Sequence, residues 1–428
     1  MPPLPSEEQS ENSSEIQTED DQHKNKISSP SHPHDHHEHV ITVFSSIQGI
    51  AQSLHEADPT LPLQIIDDEQ ALGGYGGTVE FNPAALSTQT KSILKHATIL
   101  ISEPAVIASL LDYDNNALSS LKWCQSTYAG VDPIFNSAYF QQRRYQQQKQ
   151  EQSSQPHNND NDNSNNKISW KLTRFAGCFG PPISEWCLAR IIEHERSFTS
   201  TLYDQQQKSW APSKESSVLN YRYLSKMTLV ILGCGDIGRC IGRVAKVFGM
   251  RVIGYVRTLP SDDDEQRRSR SDAAAAGGGD GKDVSDDVDE YTTDLTYALQ
   301  SGDYIVSVLP STPETRGLLS NDVLSIASKE RGGQSPVFIN VGRGDVINEK
   351  SLLKALDEQW ISGAILDVFE EEPLPTHSKL WSRSDVIVSP HVSGLTQSSD
   401  VPKVFLTNYQ RYIDGKELNF LVDWAKGY

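Results

Sequence analysis

Three ionisable residues near the C-terminal end of the chain could carry out acid–base chemistry together. Arg343 follows the apolar stretch FINV, Glu372 lies in LDVFEEEPLP, and His391 lies in SPHVSG. A guanidinium can bind a carboxylate and polarise a carbonyl, and an imidazole can protonate the oxygen that forms when a carbonyl is reduced. A carboxylate beside the histidine would fix its tautomer and favour its charged form. These groups suit the transfer of a hydride to a 2-keto acid.

Each of these residues also has a non-catalytic interpretation. A histidine near a strand end is more often structural than catalytic, and the run from Glu370 to Glu372 could be a solvated turn before Pro373. Asp367, at a strand end in the same segment, could simply cap a turn. The joint pattern is what favours a catalytic site.

A glycine-rich turn earlier in the chain indicates where a cofactor would bind. Gly233, Gly235 and Gly238 form G-x-G-x-x-G directly between an apolar strand and an amphipathic helix. The first glycine permits a tight turn, the second lets the backbone approach a pyrophosphate, and the third lets helix and strand pack closely. The N-terminus of the helix offers free N–H groups to the phosphates. The alternative is a glycine-rich turn that binds no ligand.

The end of the next strand bears on the choice between NAD and NADP. An acid there binds the ribose hydroxyls of NAD, whereas an arginine accommodates the 2′-phosphate of NADP. This chain has Val256 where an acid often stands, followed by Arg257 and Thr258. The sequence therefore favours NADP, with NAD as the alternative if Arg257 is only a solvated strand-end residue.

The elements around these residues predict an α/β architecture with two doubly wound domains. From residue 40 onward, short strands rich in Val, Ile and Leu alternate with amphipathic helices, which indicates a parallel sheet. A second alternating series from residue 181 is typical of the Rossmann fold. Ligands bind beyond the carboxyl ends of such strands, where Arg343, Glu372 and His391 are expected to meet.

Three polar stretches have too few apolar residues to build a core. We expect a disordered tail over residues 1–38, a low-complexity insertion over 137–167 and an acidic disordered insertion over 259–290. The tail has nine acidic and two basic residues, and the acidic insertion has eleven and four, so they supply most of the net charge of −19. The chain shows no basic stripe of the kind that nucleic acids or anionic membranes require.

The cysteines and the apolar runs indicate a cytoplasmic protein. None of the apolar runs reaches the about 18 residues that span a bilayer, and the acidic start lacks the features of a secretion signal. Five cysteines without CxxC spacing argue against a disulfide framework and a zinc site. We assign no metal site, either to the cysteines or to the histidines near residue 38. The cysteines, which we expect to be reduced, are Cys124, Cys178, Cys187, Cys234 and Cys240.

Six ordered motifs resemble the signatures of the D-isomer-specific 2-hydroxyacid dehydrogenases. They are LKWCQSTYAGVD, GPPISEW, ILGCGDIG, VLPSTPETRG, INVGRGDVINEKSLLKALDEQWISGAILDVFEEEPLP and SPHVSG. The resemblance covers residues 40–428 outside the two insertions. It implies a substrate-binding domain over residues 39–180 plus 394–428, an NAD(P)-binding Rossmann domain over 181–393, and a cleft between them.

The resemblance also implies roles for individual residues. Arg343 would bind the substrate carboxylate and carbonyl, His391 would be the acid/base, and Glu372 would pair with it. The backbone amides of Gly130 and Val131 would hold the substrate carboxylate. With the residues inferred above, the expected cofactor contacts are Gly233, Gly235, Asp236, Ile237, Gly238, Arg257, Thr258, Pro310, Val341, Gly342, Arg343, Asp367, His391 and Gly394.

The function expected from this resemblance is NAD(P)H-dependent reduction of a short 2-keto acid, such as glyoxylate or hydroxypyruvate, to the D-2-hydroxy acid by a homodimer. The YVRT ending is similar to members that prefer NADP. Formate oxidation on the same fold is a rival, but that subgroup has Gln where Glu372 stands. A cofactor-sensing, non-catalytic binding protein is another, and the intact trio of ionisable residues counts against it. The substrate depends on Tyr128 and on the loop from Ala71 to Phe81.

Overall fold

Two parallel β-sheets form the framework of the structure, a computed structural model. It describes residues 39–68, 70–75, 78–152, 168–210, 218–261, 287–328 and 335–424. The expected tail over residues 1–38 lies outside these ranges.

The first half of the chain supplies one sheet and a short hairpin. The strands are β1 (Ile41–Val43), β2 (Leu63–Ile65), β3 (Leu72–Tyr75), β4 (Thr78–Phe81), β5 (Ile99–Ser102), β6 (Trp123–Ser126) and β7 (Lys171–Thr173). Five of them form a sheet in the order β2-β1-β5-β6-β7 with every pair parallel, which is the flavodoxin-like order. The β3 and β4 strands form the antiparallel hairpin.

The second half supplies a larger sheet. Its strands are β8 (Thr228–Leu232), β9 (Arg251–Tyr255), β10 (Glu290–Thr292), β11 (Tyr304–Ser307), β12 (Val337–Asn340), β13 (Gly363–Leu366) and β14 (Val386–Val388). They are all parallel, in the order β10-β9-β8-β11-β12-β13-β14. The order reverses on either side of β8, as in the Rossmann fold. The two sheets together confirm the predicted α/β class.

Helices cover the faces of both sheets. They are α1 (Ile50–Ala57), α2 (Thr88–His96), α3 (Pro104–Tyr113), α4 (Asp132–Asn136), α5 (Ala138–Gln152), α6 (Gly180–Arg196), α7 (Phe198–Gln206), α8 (Asp236–Val247), α9 (Leu295–Ser301), α10 (Ser325–Ser328), α11 (Glu349–Asp357) and α12 (Val401–Ile413). Because helices pack on both faces, strands such as β5 and β11 are buried along their whole length and read as apolar runs.

One apolar cluster joins the two sheets. Ile101 of β5, Ile183 of α6 and Ile231 of β8 all belong to it and are buried. The end of the chain returns to the first sheet, where Phe405 of α12 stacks on Trp123 with ring centroids 5.2 Å apart. The two sheets therefore share a core through α6.

The two insertions differ from the sequence-based expectation at their ends. In the stretch 137–167, α5 is helical from Ala138 to Gln152, because its Gln, Arg and Lys residues favour helix and Phe140 is buried against Phe135. In the stretch 259–290, Asp287 is buried and paired with Arg243 of α8 at 2.8 Å. The rest of both insertions, 153–167 and 262–286, lies outside the described residues.

Candidate active site

The glycine-rich turn lies between β8 and α8, at the point where the strand order of the large sheet reverses. Gly233 has φ +92°, a left-handed conformation that favours glycine. A Cβ on Gly238 would lie 2.8 Å from the Gly233 carbonyl oxygen, so only glycine lets the helix pack there. A Cβ on Gly235, in contrast, would meet nothing within 4 Å. The turn therefore fits a dinucleotide, because its second glycine leaves the backbone open to an approaching pyrophosphate.

The residues that bear on cofactor choice lie at the carboxyl end of β9. The Val256 N–H donates to the Thr292 carbonyl at 2.9 Å, which ties this end to β10. Arg257 and Thr258, the next two residues, are exposed. Glu314 lies on the loop after β11. A hydrogen bond from Thr312 holds the pKa of its carboxyl below the usual range, and the charge of Arg257 contributes to the same shift. Arg257 is therefore exposed, and the Glu314 carboxylate lies near enough to interact with its charge.

The predicted acid/base pair is assembled from the segments after β13 and β14. His391 Nδ1 lies 2.9 Å from Glu372 Oε2, and the other carboxylate oxygen accepts the Phe369 N–H at 2.8 Å. The carboxylate is therefore held from both sides. With Nδ1 engaged, Nε2 is the ring nitrogen that can exchange a proton with a substrate. Both side chains are partly exposed, at 37% for His391 and 28% for Glu372.

Asp367 holds the turn that carries His391. Its carboxylate is fully buried and accepts hydrogen bonds from Ser389 Oγ, the Val392 N–H and the Ser393 N–H at 2.5, 2.9 and 2.8 Å. The His391 N–H also donates to the Asp367 carbonyl at 2.9 Å. These contacts support the turn-capping interpretation. Its predicted contact with a nicotinamide stays a prediction.

Arg343 reaches from the end of β12 to the loop after β6. Its Nη1 donates to the Gly342 carbonyl at 2.7 Å, and its Nε donates to Asp132 Oδ1 at 2.9 Å. A Cβ on Gly130 would lie 1.4 Å from Nη2, so the guanidinium rests directly on that glycine. The structure therefore brings the predicted cation and the predicted carboxylate-binding amides of Gly130 and Val131 together.

The remaining predicted cofactor residues line the same edge of the large sheet. A Cβ on Gly342 would lie 2.7 Å from the Leu309 carbonyl oxygen, so the turns after β11 and β12 are closely packed. Pro310 and Asp236 are exposed, Ile237 is half-buried and Val341 is buried. Gly394 packs against α6, because a Cβ there would lie 2.7 Å from Ile183 Cγ1.

The sequence-based reasoning missed Asp132. This residue ends the YAGVD part of a motif that was singled out for its backbone amides alone, and its carboxylate was not considered. It also missed Asn340, whose amide donates to the Arg343 carbonyl at 3.0 Å and accepts from the Gly342 N–H at 3.2 Å. An amide at the last position of a buried strand, directly before a glycine, was the available signal.

All five cysteines lie in described ranges, and they are not joined in disulfides. Burial raises the pKa of Cys178 to about 12, so this thiol is protonated at neutral pH. No helix within the described ranges combines the length and apolar character that crossing a lipid bilayer demands.

Known proteins resemble this chain in sequence and in structure. Residues 188–276 and 279–393 match the family model of the D-isomer specific 2-hydroxyacid dehydrogenase NAD binding domain. The glyoxylate/hydroxypyruvate reductase A of Yersinia enterocolitica is 28% identical over 246 residues, which are 58% of this chain and 68% of that protein. The glyoxylate reductase of Thermococcus onnurineus is 30% identical over 207 residues, which are 48% of this chain and 53% of that protein.

Among solved structures, the D-isomer specific 2-hydroxyacid dehydrogenase family protein of Aeromonas salmonicida superposes with a TM-score of 0.64 at 29% identity. That match covers 90% of this chain and 99% of the other. A doubly wound sheet with a dinucleotide turn, joined to a second parallel sheet, defines a class of two-domain NAD(P)-dependent oxidoreductases. The family-model match, the relatives and the solved structure all support the D-isomer-specific 2-hydroxyacid dehydrogenase family. The seven-stranded sheet lies within the residues that match its NAD binding domain.

Proposed function

We propose that the protein reduces a short 2-keto acid, of the glyoxylate or hydroxypyruvate type, to the D-2-hydroxy acid with NADPH. The observation that carries the proposal is the convergence of Arg343 with Gly130 on one side and the 2.9 Å pairing of His391 with Glu372 on the other. Arg343, Glu372 and His391 follow β12, β13 and β14, which are adjacent and parallel, so their carboxyl ends meet at one edge. Two of the relatives described above are a glyoxylate/hydroxypyruvate reductase and a glyoxylate reductase.

In the proposed reaction the protein binds, orients and protonates the substrate. Arg343 and the amides of Gly130 and Val131 hold the carboxylate, and the guanidinium polarises the neighbouring carbonyl. NADPH, when bound at the glycine turn, would supply the hydride that the carbonyl carbon receives. His391 donates the proton from Nε2 to the oxygen, and Glu372 stabilises the charged imidazole beforehand. The products would be the D-2-hydroxy acid and NADP+, and the neutral His391 would take up a proton from solvent.

The preference for NADP over NAD rests on the carboxyl end of β9. The absence of an acid at Val256 removes the partner that ribose hydroxyls would have, and Arg257 and Thr258 offer a cation and a hydroxyl to a 2′-phosphate. The glycine turn would hold the pyrophosphate, with Asp236 and Ile237 beside it. Pro310, Val341, Gly342, Asp367 and Gly394 would lie near the rest of the cofactor.

We also propose a division of labour between the two sheets. Residues 39–180 plus 394–428 would form the substrate-binding domain, and residues 181–393 would form the cofactor domain. In support, Leu421 bridges to Thr173 and the Val422 N–H donates to the Leu172 carbonyl at 2.8 Å, so the chain end completes the first sheet.

We propose a cytoplasmic homodimer as the working state. The free thiols fit a reducing compartment. On α7, Phe198, Leu202 and Tyr203 are each more than half exposed, a surface that a second copy could cover. Leu202→Glu should convert the dimer to a monomer in light-scattering measurements. A wild-type protein that is monomeric at micromolar concentration would contradict the dimer.

A substrate panel tests the proposed function. Purified protein is assayed with NADPH or NADH against glyoxylate, hydroxypyruvate and pyruvate. We expect the highest kcat/KM with NADPH and one of the first two acids. NADPH binding without turnover of any 2-keto acid would contradict the reductase and favour a cofactor-sensing protein. A kcat/KM with NADH equal to or above that with NADPH would contradict the cofactor choice alone.

A further inference from the structure

Asp132 places a carboxylate at the centre of the proposed anion site. It is the first residue of α4 and directly follows Val131, whose amide is a proposed substrate contact. Asp132 Oδ1 accepts from Arg343 Nε at 2.9 Å, and the two side chains are 29% and 26% exposed. An acid this close to the arginine that must bind an anion has a cost, because it opposes the binding of that anion.

The contact also has a geometric effect on Arg343. The guanidinium is engaged at Nε by Asp132 and at Nη1 by the Gly342 carbonyl, and Nη2 rests on Gly130. A planar fork held at two donors cannot rotate freely, so less entropy is lost when it binds a substrate. Asp132 therefore fixes the orientation of the group that must meet the carboxylate and the carbonyl at once.

The charges of Arg343 and Asp132 then limit the number of carboxylates that a bound substrate can carry. Arg343 with Asp132 gives a pair of zero net charge, so a substrate with one carboxylate adds one negative charge to the pair. A second carboxylate would be repelled by Asp132 with no additional cation among the described contacts of the pair. We propose that Asp132 is a positioning residue that orients Arg343 and restricts the site to 2-keto acids with a single carboxylate. This inference rests on the proposed function.

A second contact on the same helix provides a matched control. Arg316 Nη2, from the loop after β11, donates to Asn136 Oδ1 at the end of α4 at 3.3 Å. Like Asp132, Asn136 links α4 to the seven-stranded sheet, but its hydrogen bond among the described residues is to Arg316 and not to Arg343. A purely structural role of α4 docking should therefore affect Asn136→Ala and Asp132→Asn in the same way.

The test combines anion binding with kinetics for wild type, Asp132→Asn, Asp132→Glu and Asn136→Ala. Oxalate, a two-carbon dianion, is titrated calorimetrically into protein saturated with NADP. We expect Asp132→Asn to bind oxalate about tenfold more tightly, because a repulsive charge is removed. The KM for glyoxylate should fall about threefold while kcat falls about tenfold, because a neutral amide holds the guanidinium less firmly than a carboxylate does. The ratio of kcat/KM for oxaloacetate to that for glyoxylate should rise.

Asp132→Glu should restore the wild-type oxalate affinity, and Asn136→Ala should leave oxalate affinity, KM and kcat unchanged. Unchanged oxalate binding in Asp132→Asn, or equal changes in Asn136→Ala, would overturn the inference. If wild type binds oxalate but reduces no 2-keto acid, the proposed function fails, and the role of Asp132 in anion selection is decided by the calorimetry alone.

Discussion

The two ends of the seven-stranded sheet use the same kinds of residues for different purposes. At the carboxyl end, Arg343 pairs with Asp132 and His391 pairs with Glu372, and all four side chains are between 26% and 37% exposed. At the amino end, Glu195 lies at 6% exposure and pairs with Arg222. A partly exposed carboxylate can exchange partners with a ligand, whereas the buried carboxylate of Glu195 cannot.

At the amino end of the sheet, the Glu195 carboxylate accepts hydrogen bonds at both of its oxygens. The Tyr304 hydroxyl donates to Glu195 Oε1 at 2.7 Å, and the Arg222 N–H donates to Oε2 at 3.2 Å. Burial acts to raise the pKa of Glu195, but hydrogen bonds from His194, Arg222 and Tyr304 outweigh it and hold the pKa at about 2. Glu195 is therefore ionised and fully paired, which indicates a role in stability.

The largest expected effect is the loss of kcat when His391, at the carboxyl end of the sheet, is replaced. His391→Gln should lower kcat about 1000-fold, because the proton donor is lost, and change the free energy of unfolding by less than about 0.5 kcal/mol. Steady-state kinetics and urea titration measure the two quantities. His377→Gln, an exposed histidine on the same side of the sheet, is the control. Wild-type turnover in His391→Gln would remove the residue from the mechanism.

The opposite result is expected at the amino end. Glu195→Gln should lower the free energy of unfolding by about 2 kcal/mol at pH 7, because the buried Tyr304 hydroxyl and the partly exposed Arg222 both lose a charged partner, while kcat stays unchanged. Glu193→Gln on the same helix removes a more exposed carboxylate, which pairs with Arg190, and should cost less than about 1 kcal/mol. Equal losses in the two variants would contradict the comparison.

The same variant has a pH signature. The pKa of Glu195 is depressed from 4.5 to about 2 in the folded protein, so its stabilisation is complete above pH 4.5 and is lost as the pH falls towards 2. The difference in unfolding free energy between wild type and Glu195→Gln should therefore shrink between pH 5 and pH 3. A difference that stays constant over this range would argue against the ion pair as its source.

Glu372→Gln should have an intermediate effect at the carboxyl end. An amide still accepts a hydrogen bond from His391 but cannot stabilise its charge, so kcat should fall about 30-fold with little change in KM. Glu371→Gln, the neighbouring exposed acid, serves as the control. A rise in KM at constant kcat would instead assign Glu372 to substrate binding.

The smallest expected effect is a change in the KM for NADPH, which is tested with variants at the two ends of β9. Arg257→Ala, at the carboxyl end of β9, should raise the KM for NADPH about tenfold and leave that for NADH unchanged. Arg251→Ala removes an arginine at the amino end of β9, where it pairs with Glu290 at 2.7 Å, and should change neither. Equal changes with both cofactors would mean that Arg257 does not contact a 2′-phosphate.

Local patterns made much of the framework predictable. Buried parallel strands such as β8 and β11 are continuous apolar runs in the sequence. The glycine turn is recognisable because Gly233 adopts a left-handed conformation that favours glycine. The parallel order of the sheet then places the residues after β12 and β14 at one edge. Arg343 and His391 could therefore be selected from sequence.

Pairings between distant residues were not predictable in this way. Asp132 and Arg343 are 211 residues apart, and their contact depends on how the first sheet packs against the second. The Tyr304–Glu195 bond joins residues 109 apart for the same reason. The β3–β4 hairpin was missed because its glycines obscure the alternation of a strand. Helix α5 was missed because it is stabilised by propensity and a few aromatic contacts and not by an apolar stripe.

The contact between Gly130 and the Arg343 guanidinium limits how the protein could evolve. Any side chain at position 130 would occupy the place of Nη2, so every single substitution there costs the arginine its position at once. Tyr128, two residues earlier, is only partly buried and packs against the apolar cluster that joins the two sheets. Substitutions that change substrate choice are therefore expected at Tyr128 or on the β3–β4 hairpin, and not at position 130.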